Sequence, residues 1–218
     1  MFQTRFRLEL SFGLCVGVEL PLPVEGAAMD PLDGLHPAEV AVAADFPVRR
    51  KLSFAGGRHA LARALQELGA PREAVLSDDR GAPVMPQGFV GSVSHKDTLA
   101  VALVARGQAA HIGVDLEPWL PERPKIARLV LTEAERVALG ESPAWRDLLL
   151  RFSLKEAIYK AIDPSLRRYV TFKEVEVTPR DDGSATVNLM LTQGEQLEVE
   201  ARWKSHHDYL ITSARARR

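Results

Sequence analysis

Residues 6–20, Phe6-Arg7-Leu8-Glu9-Leu10-Ser11-Phe12-Gly13-Leu14-Cys15-Val16-Gly17-Val18-Glu19-Leu20, carry an apolar side chain at every even position and a polar or small one at every odd position. Alternation with period two describes one long strand or two short ones with a single buried face. A secretory segment would be continuously apolar and would not hold Glu9. Beyond it, residues 21–48 are rich in Pro and Gly (Pro21, Pro23, Gly26, Pro31, Gly34, Pro37, Pro47) and read as an irregular connection with room for one short helix. The period then changes. Leu61, Ala64, Leu65 and Leu68 recur at helical spacing, and Gly69 stops a helix that begins near Arg49.

Residues 80–88 are turn chemistry, and Phe89–His95 pairs with Leu99–Ala105 as a hairpin across Lys96-Asp97. Ile112–Leu116 is a further strand, ended by Pro118, Pro121 and Pro124. Thr132 with Glu135 has the spacing of a capping box. A longer helix runs from about Trp145 to Ile162 and stops at Asp163-Pro164, because proline cannot continue it. Residues 175–177, 186–191, 197–203 and 209–213 read as short strands, and Arg215, Arg217 and Arg218 as a frayed tail. The class is α+β, in two halves of similar ingredients, residues 1–108 and 109–218, with the boundary near 106–111.

At 218 residues, 46% hydrophobic and 26% charged, the chain can bury a sizeable core without staples. The net charge of −1 gives no field to draw nucleic acid or anionic lipid, so any anion binding is local. Cys15 is the only cysteine and makes no internal disulfide, which fits a reducing, cytoplasmic setting. No run approaches the ~18 apolar residues of a membrane span.

Four constellations can do chemistry. Asp115 and Glu117, two apart on a strand, present both carboxylates to one face; they are either a solvated strand end or a site for a hard cation. Glu156 and Lys160, four apart on a helix with Lys155 beside them, are either a surface ion pair or a metal ligand with point charges for a diphosphate. Ser92, Ser94 and His95 close a strand, where the histidine is either a hydrogen-bonded structural residue or a ligand. Arg50 and Arg58, eight apart on a helix that also carries Arg63, with Arg80 beyond it, are either solvated or turned towards one phosphate-bearing groove.

In their order along the chain, RRKLSFAGGRHALARALQELG (49–69), RGAPVMPQGFVGSVSH (80–95), GVDLEPW (113–119), TEAER (132–136) and FSLKEAIYKA (152–161) resemble the 4′-phosphopantetheinyl transferases, in the branch that serves siderophore and other secondary-metabolite synthases. The resemblance spans about residues 45–172. It implies a pseudo-twofold pair of α+β halves binding coenzyme A in a cleft, the first half contributing phosphate contacts and the second the metal site. It implies Mg²⁺, with Mn²⁺ as the alternative, on Asp115, Glu117 and Glu156. Lys155 and Lys160 would contact coenzyme A phosphates or assist proton transfer, and Arg50, Arg58, Arg80, Ser94 and His95 would hold phosphate groups. Glu135 matches the position proposed as base for the carrier serine, although the capping box explains it equally well. Two positions depart from the family pattern, Met85 and Phe152, where tryptophan is common; both swaps are apolar and conserve packing.

The implied reaction transfers the 4′-phosphopantetheine arm to a serine of an apo acyl or peptidyl carrier protein and releases 3′,5′-ADP, by a monomer that needs no nucleophile of its own. A Mg²⁺-dependent hydrolase of coenzyme A or another nucleotide diphosphate, or a non-catalytic coenzyme A or carrier binder, would use the same residues. Carriers are usually acidic, so residues 120–131, with Arg123, Lys125, Arg128, Ile126, Leu129 and Val130, are the candidate docking patch.

Overall fold

The computed structural model describes residues 2–21, 30–192 and 194–218; residues 22–29 of the expected 21–48 connection lie outside the described residues. The chain divides into two compact units, Met1–Gln108 and Ala109–Arg218.

Unit 1 contains β1 (Thr4–Leu10), β2 (Gly13–Glu19), α1 (Pro37–Ala43), α2 (Val48–Glu67), β3 (Phe89–Lys96) and β4 (Leu99–Arg106). Its four strands form an antiparallel sheet in the order β1-β2-β4-β3. Leu61, Ala64 and Leu65 of α2 pack on Leu14, Val16 and Ala102 of that sheet in one core cluster. The helix ends as its sequence directs: Gly69 takes φ 73°, a conformation that favours glycine, and the Ala70 N–H closes back on the Leu65 carbonyl at 2.9 Å.

The even-position alternation is two strands, and they do not share a buried face. Leu10 pairs with Gly13, Leu8 with Cys15 and Phe6 with Gly17. A two-residue turn thus sets even residues of β1 opposite odd residues of β2, and directly opposed residues lie on the same side of a sheet. Phe6, Leu8 and Leu10 therefore stand on the face away from Leu14, Val16 and Val18, and the Phe6 ring occupies the space a side chain at Gly17 would need. On the α2 side, Arg7 fills the vacated edge by pairing with Glu67.

Unit 2 contains β5 (His111–Pro118), α3 (Ala127–Val130), α4 (Glu133–Leu139), α5 (Trp145–Leu166), β6 (Val175–Pro179), β7 (Ser184–Leu189), β8 (Glu198–His206) and β9 (Tyr209–Arg217). The sheet is antiparallel, in the order β5-β9-β8-β7-β6. Ala157, Ile158 and Ala161 of α5 share a core with Val177, Ala201 and Ala214 of the sheet. The approach is close because β5 carries Gly113, where a Cβ would lie 1.9 Å from the Ala157 carbonyl oxygen.

Two expectations are corrected in unit 2. Pro164 does not end α5: it lacks only the N–H that would reach back one turn, and the helix runs on to Leu166, where the Arg167 N–H bonds the Asp163 carbonyl at 2.8 Å and Arg167 turns left-handed. The arginine tail is not frayed, because β9 continues to Arg217. Glu200 receives Arg215 at 2.5 Å, Ala216 is 1% exposed, and Arg218 donates to the Ser165 carbonyl at 2.8 Å. Each unit is thus a long helix laid on an antiparallel sheet, an α+β architecture.

Candidate active site

In unit 2 the site is built on β5 and α5. Asp115 and Glu117 lie on the side of β5 that faces α5, and both are buried, at 5% and 6% exposure. Asp115 is held from the helix at both oxygens. Ser153 Oγ donates to Oδ2 at 2.8 Å, and Lys160 Nζ donates to Oδ1 at 3.0 Å while also reaching the Val114 carbonyl at 2.8 Å. Thr212, opposite Asp115 on β9, completes the shell, its hydroxyl 2.9 Å from Ser153 Oγ. Lys160 is two turns beyond Ser153 yet meets the same carboxylate, because helical side chains lean towards the N-terminus. Glu156, three residues after Ser153 and four before Lys160, shares that helical face. It also lines a small slot of about 90 Å³ with Lys155, Tyr159, Tyr169, Val170 and Phe172.

Among the described residues, no three His, Cys, Asp or Glu side chains come together closely enough to hold a metal ion. The predicted triad of Asp115, Glu117 and Glu156 is thus not assembled in this geometry. Its donor chemistry nonetheless suits a hard cation: two buried carboxylates stand side by side on β5, with the Lys160 ammonium 3.0 Å from Asp115.

Lys155 and Glu135 differ most from expectation. Lys155 is 1% exposed, and its ammonium meets three acceptors, Glu135 Oε2 at 2.6 Å and the carbonyls of Val130 at 2.8 Å and Phe172 at 3.1 Å. Burial pulls it below the usual lysine range, and Glu135 opposes that pull. Glu135 caps α4 through the Thr132 N–H at 2.8 Å and takes the Val177 N–H at 2.9 Å on its other oxygen. A base for an incoming serine needs an accessible oxygen; this carboxylate is 4% exposed and already accepts three donors. The structure thus accounts for Glu135 as a cap and a buried ion-pair partner.

In unit 1, Arg50 and His95 line one groove together with Arg49, Ser53, Lys96 and Thr98. Arg50 is steadied over the Phe46 ring at 4.2 Å. Arg58 is elsewhere. Eight residues are about 2.2 turns, which leaves the two arginines roughly 80° apart around α2. Arg58 is 5% exposed, sits over the Phe54 ring at 4.5 Å and donates to Ser77 Oγ at 2.8 Å. Ser94 is separated from its neighbour too. It pairs with Val101 and His95 with Ala100, so the two lie on opposite faces of the sheet, with His95 on the α2 side. Arg80 is exposed in its turn, where its N–H meets Asp78 Oδ1 at 2.9 Å. Arg63 donates to the Phe2 carbonyl at 2.6 Å.

Sequence reasoning missed Ser153 and Thr212, whose small hydroxyls signal nothing until α5 is docked on β5 and β9. It also missed Arg49 and Lys96, which repeated basic residues beside Arg50 and His95 could have suggested.

Residues 38–105 match the 4′-phosphopantetheinyl transferase N-terminal domain, and residues 111–214 match the 4′-phosphopantetheinyl transferase superfamily. The chain is 39% identical over 195 residues to the 4′-phosphopantetheinyl transferase Npt of Nocardia iowensis, covering 82% of this chain and 87% of that one. It is 34% identical to the transferase Svp of Streptomyces mobaraensis, over 84% of this chain and 79% of that one. It is also 35% identical over 117 residues to enterobactin synthase component D of Salmonella typhimurium, covering 52% of this chain and 48% of that one. The chain belongs to the 4′-phosphopantetheinyl transferase superfamily. It is an enzyme that transfers 4′-phosphopantetheine to carrier proteins.

Proposed function

We propose that the protein takes the arm from coenzyme A, in a reaction dependent on Mg²⁺, and releases 3′,5′-ADP. The observation that carries this reading is the pair of buried carboxylates on β5, one of them clamped by Ser153 and Lys160 from α5. Asp115 and Glu117, with Glu156 from the facing helix, would hold the cation. When bound it would supply positive charge against the diphosphate and the leaving nucleotide.

This chain's own residues do the rest. The carrier serine oxygen bonds to the phosphorus that bears pantetheine, the bond from that phosphorus to the oxygen it shares with the nucleotide phosphate breaks, and the electron pair leaves with 3′,5′-ADP. The serine proton passes to solvent, since Glu135 is spent on other donors. Ser153 and Lys160 orient Asp115, and Lys160 lends charge beside it. The slot beside Glu156, of about 90 Å³, has room for a short apolar part of the pantetheine chain. The groove of unit 1, where Arg49, Arg50, His95 and Lys96 stand beside Asp97, has the donors for a phosphate group. The acidic carrier would meet Arg123, Lys125, Arg128 and Leu129, all exposed; Val130 is fully buried and drops out of the expected patch.

The test is intact-mass spectrometry of apo acyl and peptidyl carriers incubated with the protein, coenzyme A and Mg²⁺, with EDTA and Asp115→Ala as controls. A gain of one phosphopantetheine, lost with EDTA and in Asp115→Ala, is expected. Consumption of coenzyme A without any carrier gain would replace the reading with hydrolysis.

A further inference from the structure

Lys155 is the largest fully buried side chain among the described residues, and what its three N–H groups hold is specific. The helix α3 is four residues long, too short to sustain itself, and leaves its last carbonyls without partners of its own. Two lysines from outside take them. Lys155 of α5 takes the Val130 carbonyl at 2.8 Å, and Lys173 takes the Arg128 carbonyl at 2.9 Å as well as that of Leu131. The remaining donors of Lys155 tie in the Phe172 carbonyl and Glu135, whose carboxylate also fixes the start of α4 and the Val177 N–H of β6. One ammonium therefore joins α5, α3, α4 and the approach to β6, at the residue next to Glu156. Arg128 and Leu129, which α3 presents to solvent, are mounted on this strut.

We infer that Lys155 is a positioning residue: it fixes α3, the segment that meets the carrier, against α5 beside Glu156, and it does not contact the phosphates of coenzyme A. The inference rests on the proposed transfer reaction and deepens it by separating the roles of the two helix lysines. Lys160 stands 3.0 Å from Asp115 at the site, whereas Lys155 has no donor left to offer a phosphate.

Removing one member of a buried ion pair leaves the other uncompensated, whereas neutralising both relieves that cost. Lys155→Met alone should lower the melting temperature, and Lys155→Met/Glu135→Gln should recover more than half of the loss. In the recovered double variant, the dissociation constant of 3′,5′-ADP, measured by calorimetry on the full chain, should stay within about twofold of wild type. KM for the apo carrier should rise at least fivefold, and by more than any change in KM for coenzyme A, whose pantetheine chain the slot beside Lys155 borders. A general loss of packing would not split the two substrates in this way. Tenfold weaker 3′,5′-ADP binding in the recovered double variant would make Lys155 a phosphate ligand and overturn the inference, as would an unchanged carrier KM. Wild-type protein run alongside keeps the two claims apart: if it modifies no carrier, the transfer reading fails, whereas the inference fails only against an active wild type.

Discussion

Replacing Gly113 by alanine tests how closely the site depends on the seating of α5. The added Cβ would lie 1.9 Å from the Ala157 carbonyl oxygen and 2.8 Å from the Ala161 nitrogen. Ordinary contact starts at 3.4 Å, and both neighbours are backbone, so the helix must retreat from β5 by about 1.5 Å. The bonds from Ser153 and Lys160 to Asp115, at 2.8 and 3.0 Å, do not survive a shift of that size. Overpacking a core costs ~1–3 kcal/mol, and losing a buried hydrogen bond to a charged group costs ~1.5–3 kcal/mol. Together these come to about 2.5–6 kcal/mol, which for a chain of this size lowers the melting temperature by roughly 5–25 °C. Thermal melts followed by circular dichroism give the first number. Transfer to an apo carrier, measured below the new melting temperature, gives the second and should fall at least tenfold in kcat/KM. A variant that melts within 2 °C of wild type, or that keeps full transfer with Asp115 released from α5, would refute the reasoning.

Two adjacent glycines in α2 should respond in opposite directions. At Gly57 a Cβ meets only Val93, at 3.9 Å, so Gly57→Ala should stabilise unit 1 by about 0.5–1 kcal/mol. At Gly56 it would meet the buried Leu20 at 2.1 Å and Ala100 at 3.2 Å, so Gly56→Ala should destabilise; melts showing the reverse order would contradict the packing of α2. Cys15 is 0% exposed, and burial pushes its thiol up to about 12. An aromatic disulfide reagent at pH 8 should therefore label it only in denaturant, and fast labelling of native protein would count against that burial. The sign of the linkage follows: the unfolded thiol ionises near 8.5 and the native one does not, so this group's contribution to stability falls as pH rises above that value, measurable by urea titration against Cys15→Ala.

Most of the fold was legible because its elements are locally consistent. The α2 pattern with Gly69, the hairpin across residues 96–97 and the box of Thr132 and Glu135 each combine a period with a stop or cap, and each appears in the structure. The errors share one cause, that a side chain's direction is settled by register rather than by type. The alternation over residues 6–20 is real, but the pairing of Leu10 with Gly13 puts its two halves on opposite faces. Arg50 and Arg58 look like one basic face until the rotation of the helix is counted, and adjacent residues of a strand, such as Ser94 and His95, must point apart.

The KE pair of α5 shows the same limit at the site itself. Lys155 and Glu156 are neighbours on a helix, so about 100° separates their side chains; both border the slot beside Tyr159, yet the Lys155 ammonium is turned to acceptors in the core. Glu156 keeps the face shared by Ser153 and Lys160, while Lys155 turns into the core, where only acceptors can make an ammonium tolerable. Those acceptors come from Val130, Glu135 and Phe172, between 17 and 25 residues away along the chain, a separation no local motif encodes. Glu135 belongs to the same accounting. As a cap alone it would need only the Thr132 N–H, yet it is buried and accepts two further donors, because Lys155 has to be neutralised where it lies. The position that the resemblance makes a catalytic base is thus also the place where a buried lysine finds its partner, and only the burial of both groups separates the two roles.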